Sequence, residues 1–390
     1  MTLRLPFIVF VALMFTSNML FAQAETKPLS APDTTVLDAA TWKKVDTSVQ
    51  RAIDWLATQQ KEDGSFDSPA SGQPGVTSFC LMAFLAQGES PADGKYQQQL
   101  VAAVNFIADQ QKLNGLIASI VPNVGSIPRN VHRTIGSAGV YNHAISALAL
   151  CEAYGQCSPE QAERLAPIIE KAIAATLEMQ RWGPKQEKDV GGWRYLDLRF
   201  PNDDSDLSIT GWQIMFLRSA KNAGFDVPEK SIEAAVKYVE HCFLEDEDRQ
   251  VHAYLLGNRV GCTRAMAGVG ILALAHAGKH NTKEALASGD FILKHDFKNY
   301  NDDASIYGVW WSEEHYHYAS VLCTQAMFQL GGKYWKQFYP PLVDTLLENQ
   351  QASGEWPPEK AEPVYGSVYS TSLSILSLSL PNQMLPIFQR

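Results

Sequence analysis

The stretch Ala52-Ile53-Asp54-Trp55-Leu56, followed by Gln59-Gln60, Asp63-Gly64-Ser65-Phe66 and an apolar run from Val76 to Ala86 that stops before Gly88, sets out a unit that recurs along the chain. Apolar positions 49, 52, 53 and 56 follow the helical period with charged residues between them, so the first half is an amphipathic helix. The second half carries small and apolar residues on nearly all sides, and a helix of that kind is buried on nearly all sides. A two-helix unit cannot bury both apolar faces alone and must stack on its neighbours.

Apolar helical patterns of this second type fall at about 76–87, 138–154, 206–222, 262–277, 315–330 and 367–380. Five stop at a glycine, at 88, 155, 224, 278 and 331, and the sixth runs into Pro381. Amphipathic patterns precede them at about 48–56, 97–111, 165–181, 229–243, 283–294 and 341–351. Buried inner helices ringed by half-wet outer ones predict an all-α fold with almost no strand. Six pairs are enough to close one α6–α6 double barrel, an α/α toroid. Four outer patterns end in Gln (Gln59-Gln60, Gln110-Gln111, Gln180, Gln350-Gln351), and a Gly follows each, at 64, 115, 192 and 354. Phe66, Trp193 and Trp356 come soon after three of them. A Gln amide can cap the open carbonyls of a helix end while a ring lies against it, which makes this turn a structural clamp. Trp193-Arg194-Tyr195 is read as part of that clamp.

The repeated Gln, Gly and aromatic turns between alternating helices resemble the squalene cyclase and protein prenyltransferase repeat. The resemblance covers about residues 44–383 and implies a terpenoid-cyclase-like toroid around a central cavity. It does not fix an activity, because one fold hosts many. Zinc-dependent prenyl transfer in that family needs an Asp-x-Cys pair, which this chain lacks, and the Cys-Gly-Glu-Gln run of thioester domains is absent, Cys262 being followed by Thr263-Arg264-Ala265. No metal or other cofactor is expected. The acid motif of squalene-type cyclases, Asp-x-Asp-Asp at the head of an inner helix, is matched in part by Asp204-Ser205-Asp206, with Leu207 in the last place. The resemblance implies Asp206 as proton donor, with Asp204 and Asp203 as neighbours that raise its pKa. Asp206 equally fits an ordinary helix N-cap.

Other polar and aromatic residues sit at inner-helix heads and are expected to face the same mouth. They are Tyr141, His143, Arg264, Trp310, Trp311, His315, Tyr316 and Tyr365, with His132, Arg133, Asn142, Arg259 and Tyr369 beside them. Heads that converge make a polar and aromatic binding pocket. His315 and His317 make a poor metal pair, since side chains two apart on a helix point apart.

The N-terminus carries Arg4, an apolar run from Phe7 to Phe15 and Ala22-Gln23-Ala24 before Glu25, the pattern of a cleaved signal peptide over 1–24. Residues 25–43 then read as a flexible lead-in and 384–390 as a tail. Export to the periplasm or beyond is expected, with no transmembrane segment in the mature chain. Formal charge is −10 from 32 basic and 42 acidic residues, with no basic cluster, so nucleic acid is an unsuitable partner. Six cysteines occur; Cys151 and Cys157 flank a helix end where a disulfide could form, while Cys80 and Cys323 sit in apolar runs. Two enzyme readings remain beside plain binding or scaffolding. One is acid-catalysed change in an isoprenoid or other lipid. The other is a carbohydrate lyase or hydrolase: a hydrolase would need facing carboxylates, Asp204 or Asp206 with Glu313 or Glu314, and a lyase a base such as a Tyr, His or Arg. The partner is accordingly a hydrophobic small molecule or a glycan.

Overall fold

The computed structural model describes residues 34–121, 129–182, 185–196, 205–257, 261–306 and 314–389, apart from the side chains of 129–134. The signal peptide expected over 1–24 lies outside these residues. Twelve α-helices are present among the described residues. The inner set is α2 (Gly75–Leu85), α4 (Arg129–Tyr154), α6 (Leu207–Asn222), α8 (Arg264–His276), α10 (Tyr316–Leu330) and α12 (Gly366–Ser379). Each packs on the next, and α12 returns to α2, so the ring closes. All eleven residues of α2 are buried, as its composition requires. The outer set is α1 (Ala39–Ala57), α3 (Gln97–Asp109), α5 (Pro159–Gln180), α7 (Glu229–His241), α9 (Lys283–Lys294) and α11 (Gly332–Asn349), each lying on inner helices through its apolar stripe. No described helix is long and apolar enough to cross a membrane.

The turns do more than cap their own helices. Gln60, Gln111, Gln180 and Gln350 each place Nε2 between two carbonyls. One belongs to a glycine of the same turn (Gly64, Gly115, Gly191 or Gly354). The other belongs to the next outer helix or its first turn: Gln99 of α3, Ile168 of α5, Ser231 of α7, and Ser48 of α1 for the last clamp. The bonds run from 2.7 to 3.2 Å. The turn sits so close to that helix that a Cβ on Gly191 (φ +102°) would lie 2.1 Å from the Ala234 carbonyl oxygen. The next residue in the chain then ties each turn to the inner layer. The amides of Phe66, Ile117, Trp193 and Trp356 donate to Thr77, His143, Thr210 and Thr371. Each clamp therefore links an outer helix, its neighbour and an inner helix.

The end of α7 carries no glutamine in the clamp position. A hairpin, β1 (Phe243–Glu245) with β2 (Gln250–His252), fills that place. His252 Nδ1 meets Ser288 Oγ of α9 at 2.8 Å, and its ring lies over Gly270 of α8. This short hairpin is the one sheet among the described residues, in keeping with the expectation of almost no strand.

Both ends of the chain differ from expectation. Helix α1 begins inside the stretch read as lead-in, because the Asp38 side chain accepts the Thr41 amide (2.7 Å) and starts the helix at Ala39. The tail is packed: Leu385, Ile387 and Phe388 are buried. Gln325 of α10 donates to the Ile387 carbonyl (2.9 Å), while the Ile387 amide donates to Glu152 of α4 (3.2 Å). All six cysteines are free. Cys151 points into the core of α4 and Cys157 lies in the half-buried turn beyond it, so the expected bridge does not form.

Two outcomes follow from this packing. Gly191→Ala combines a strained positive φ with a backbone clash and should cost about 3 kcal/mol or more in urea unfolding. Gly224→Ala (φ +91°) meets nothing within 4 Å and should cost only about 1 kcal/mol. Equal costs would show that close approach to the next helix is not a constraint. Glu152 is the second case. Burial lifts its carboxyl from 4.5 to about 7, against the bonds from Ser219 and the Ile387 amide. The folded protein keeps this proton where the unfolded chain has released it, so stability falls as pH rises from about 4.5 to about 7. Glu152→Gln should therefore shrink the stability difference between pH 4 and pH 8 by roughly 3 kcal/mol.

Candidate functional site

The inner helices bring their N-termini to one end, where side chains of one helix head cap another. Asn142 of α4 accepts the Gly75 amide of α2 (3.1 Å). Glu314, ahead of α10, accepts the Arg264 amide of α8 (2.9 Å). Glu359, ahead of α12, accepts the Tyr316 and His317 amides of α10 (both 2.8 Å). A carboxylate at a helix N-terminus satisfies open N–H groups and faces the positive end of the dipole.

Asp206 caps its own helix, α6. It is fully buried, and its Oδ1 accepts the Ile209 amide (2.9 Å) and the Ser208 hydroxyl (2.6 Å). Oδ2 accepts from Arg194 (3.0 Å). Burial pushes this carboxyl above its ordinary value, and Arg194, the Ile209 amide and the Ser208 hydroxyl pull it back. The Arg194 guanidinium also donates to the Tyr254 hydroxyl (3.1 Å) and lies 4.4 Å from the centre of the Tyr195 ring. Tyr195 and Tyr254 share a hydrogen bond. Tyr141 of α4 bonds the Ser208 hydroxyl at 2.5 Å. A buried carboxylate, one guanidinium and three phenols thus form a single network.

Aromatic side chains run from this network through the ring's interior. Tyr318 of α10 accepts from the indole of Trp212 of α6 (2.8 Å), and the rings are 6.1 Å apart. Trp212 meets Phe79 of α2 edge-on at 5.6 Å, Phe79 meets Tyr369 of α12 at 6.0 Å, and Tyr369 meets Tyr365 at 5.5 Å. Helices α2 and α6 are not neighbours in the ring, nor are α6 and α10. Contacts between them therefore span the interior rather than one helix seam.

Of the residues expected at the mouth, Asp206, Tyr141 and Tyr365 belong to this assembly. Arg264 does not. Its guanidinium pairs with Glu314 (3.3 Å), donates to the Asp296 carbonyl (2.8 Å) and lies 4.1 Å from the centre of the Phe297 ring, so it serves the outer layer. Tyr316 does the same through its hydroxyl on the Phe297 carbonyl (2.9 Å). His143 lies well inside α4, buried between the Ile117 amide and Thr176, and burial pulls its pKa down to about 3. It is a neutral clamp residue. His315 stands half-buried at the start of α10 without a side-chain capping bond. Asp203, Asp204, Trp310 and Trp311 lie outside the described residues, as do the side chains of His132 and Arg133 and the whole of Arg259.

The sequence pattern passed over Arg194, Ser208, Trp212, Tyr254, Phe79 and Glu359. One signal was available: Ser208 and Trp212, Glu314 and Tyr318, and Tyr365 and Tyr369 are each four apart, so each head residue has an aromatic one turn deeper on the same face.

A second polar group is built on Glu359. His317 is fully buried, with Nδ1 on Glu359 (3.1 Å) and Nε2 on the Tyr300 hydroxyl (3.2 Å). Burial raises the Glu359 carboxyl, but the His317 bonds outweigh it and hold the acid below its usual value.

Comparison with solved structures gives the fold. The type II terpene cyclase MstE from Scytonema, in complex with geranylgeranyl dihydroxybenzoate, superposes with a TM-score of 0.55 at 11% identity, over 89% of this chain and 99% of that one. The GH76A α-1,6-mannanase of a Salegentibacter species superposes at 0.57 and 12% identity, over 88% and 99%. An α-amylase from Clostridium perfringens gives 0.53 at 11%, over 85% and 97%. This chain shares the α/α-barrel fold of these enzymes. No family model matches it, and no curated protein sequence matches it.

The Asp206–Arg194 pair yields a quantitative expectation. Asp206→Asn leaves a mostly buried guanidinium without its charge partner and should cost about 3 kcal/mol. The double variant Asp206→Asn with Arg194→Met should recover at least half of that in thermal or urea unfolding. A silent Asp206→Asn would reduce the residue to a plain cap.

Proposed function

We propose that this chain is an exported, terpenoid-cyclase-like α6–α6 toroid that binds a hydrophobic small molecule of isoprenoid type along its axis. The observation that supports it is the aromatic path Tyr318–Trp212–Phe79–Tyr369, which crosses the interior beside the phenol network. Apolar chains gain by burial against such rings, and an electron-poor centre on the ligand gains from their faces. Export rests on the leader pattern at 1–24.

Asp206 acts on the ligand through others. It has no exposed surface, and an amide, a hydroxyl and a guanidinium occupy its oxygens. A general acid must come within hydrogen-bond reach of the atom it protonates, directly or through a relay. Ser208 and Tyr141 link Asp206 to the ligand side, but both hydroxyls give their protons toward Asp206, so the chain carries polarity and not an outgoing proton. Asp206 sets the polarity of the phenols, and ligand binding is the primary function.

The second reading, a glycan, is favoured by the aromatic and hydroxyl character of the same pocket, since sugars stack on rings and bond phenols. Hydrolysis is less well supported than binding: Asp206, Glu314 and Glu359 are each already engaged by a cation, an imidazole or helix amides. Titration of tryptophan fluorescence separates the two readings, with Trp212→Phe as the local control. The isoprenoid reading expects a saturable change with geranylgeraniol in the micromolar range, lost in Trp212→Phe, and none with α-1,6-mannotriose. A response to mannotriose alone transfers the site to glycans. Silence with both ends the ligand-binding proposal.

A further inference from the structure

The hydrogen-bond polarity of the site is determined by counting protons. Arg194 and the Ile209 amide can only donate, and both point at Asp206. Ser208 gives its single proton to Asp206 Oδ1. Ser208 therefore has only lone pairs left for Tyr141, so in the 2.5 Å contact between them Tyr141 is the donor. Its proton is spent inward. Tyr141 is half-buried, and what its oxygen still offers is an acceptor.

Tyr318 has the opposite polarity. Trp212 Nε1 can only donate, so the Tyr318 oxygen accepts at 2.8 Å. No described residue accepts the Tyr318 proton. Burial lifts both phenols far above ordinary tyrosine, so both keep their protons. Ser208 and Trp212, which hold the two phenol oxygens, stand one turn apart on the same face of α6. One acceptor and one donor thus face the same half-buried space, beside the rings of Trp212, Phe79 and Tyr369.

We propose that the head of the axial pocket recognises a neutral hydroxyl group, which donates to Tyr141 and accepts from Tyr318. This deepens the function proposed above and rests on it. A hydroxyl can do both at once; an ether oxygen, a carboxylate or a phosphate ester cannot donate to Tyr141 when ionised or alkylated. Breaking the match costs more than the bond itself, because a buried polar group is left unpaired. The same chemistry is shared by isoprenoid alcohols and sugars, and the test must tell them apart.

The test uses the full-length protein and four probes: geranylgeraniol, its methyl ether, the parent hydrocarbon without oxygen, and α-1,6-mannotriose. Calorimetry or tryptophan fluorescence gives the dissociation constants. The wild type should bind the alcohol at least about tenfold tighter than the ether and the hydrocarbon. Tyr141→Phe should bring alcohol and ether to within about twofold of each other while leaving hydrocarbon binding intact; Tyr318→Phe should weaken alcohol and ether alike. Equal wild-type affinities for alcohol and ether overturn the inference while the isoprenoid reading stands. Binding of mannotriose alone, weakened in Tyr141→Phe, supports hydroxyl recognition and removes the isoprenoid source. If no probe binds, both the pocket and its specificity are refuted. The wild-type comparison decides the matter even if a variant fails to fold.

Discussion

A glutamine amide set between two backbone carbonyls is the interaction on which this structure depends. Outer helices of such a barrel have a wet face and would slide on their inner partners, because apolar contact alone has no direction. Gln60, Gln111, Gln180 and Gln350 remove that freedom. Each fixes its turn against the next outer helix at hydrogen-bond distance, and the glycine beside it allows the approach. The aromatic or aliphatic residue that follows then bonds an inner-helix side chain, so registration passes between layers as well as around the ring. Where the glutamine is missing, between α7 and α9, a hairpin and a buried histidine take over the same link.

The candidate site is built directly on the third clamp. Gln180 holds the Gly191 turn, Trp193 pairs through its backbone with Asp206, and Arg194 follows in sequence to meet the Asp206 carboxylate. The rigidity that closes the barrel therefore also positions the charge pair and the phenols around it. A site held by a scaffold element in this way loses little freedom when a ligand arrives.

The twelve helices could be read from the sequence because helical period and small-residue content agree at each inner segment, and a glycine or, at the last, Pro381 marks its end. The site could not, for three physical reasons. Glu314 looked like a candidate acid and Glu359 was passed over, yet each caps a neighbouring helix, a long-range relation that one segment cannot reveal. His143 looked like a mouth residue because it follows Tyr141 and Asn142, but it lies on the outward face of α4, where the Ile117 amide and Thr176 hold it in the clamp layer. Trp212 and Phe79 read as core, since an aromatic inside an apolar helix is usually packing. Only the contact between non-adjacent helices shows that these rings cross the interior.

Buried ion pairs seldom repay their desolvation, so the Asp206–Arg194 pair is not explained by stability alone. Its effect on polarity offers a better account. A neutral residue at 206 would leave Ser208 free to turn its proton either way, and Tyr141 with it. The carboxylate forces Ser208 inward, Ser208 forces Tyr141 inward, and an acceptor of fixed sense results at the pocket wall. Charge that never touches the ligand can thus decide what the ligand must donate. On the proposed reading, the chemistry of a helix cap becomes the chemistry of recognition, one hydrogen bond at a time.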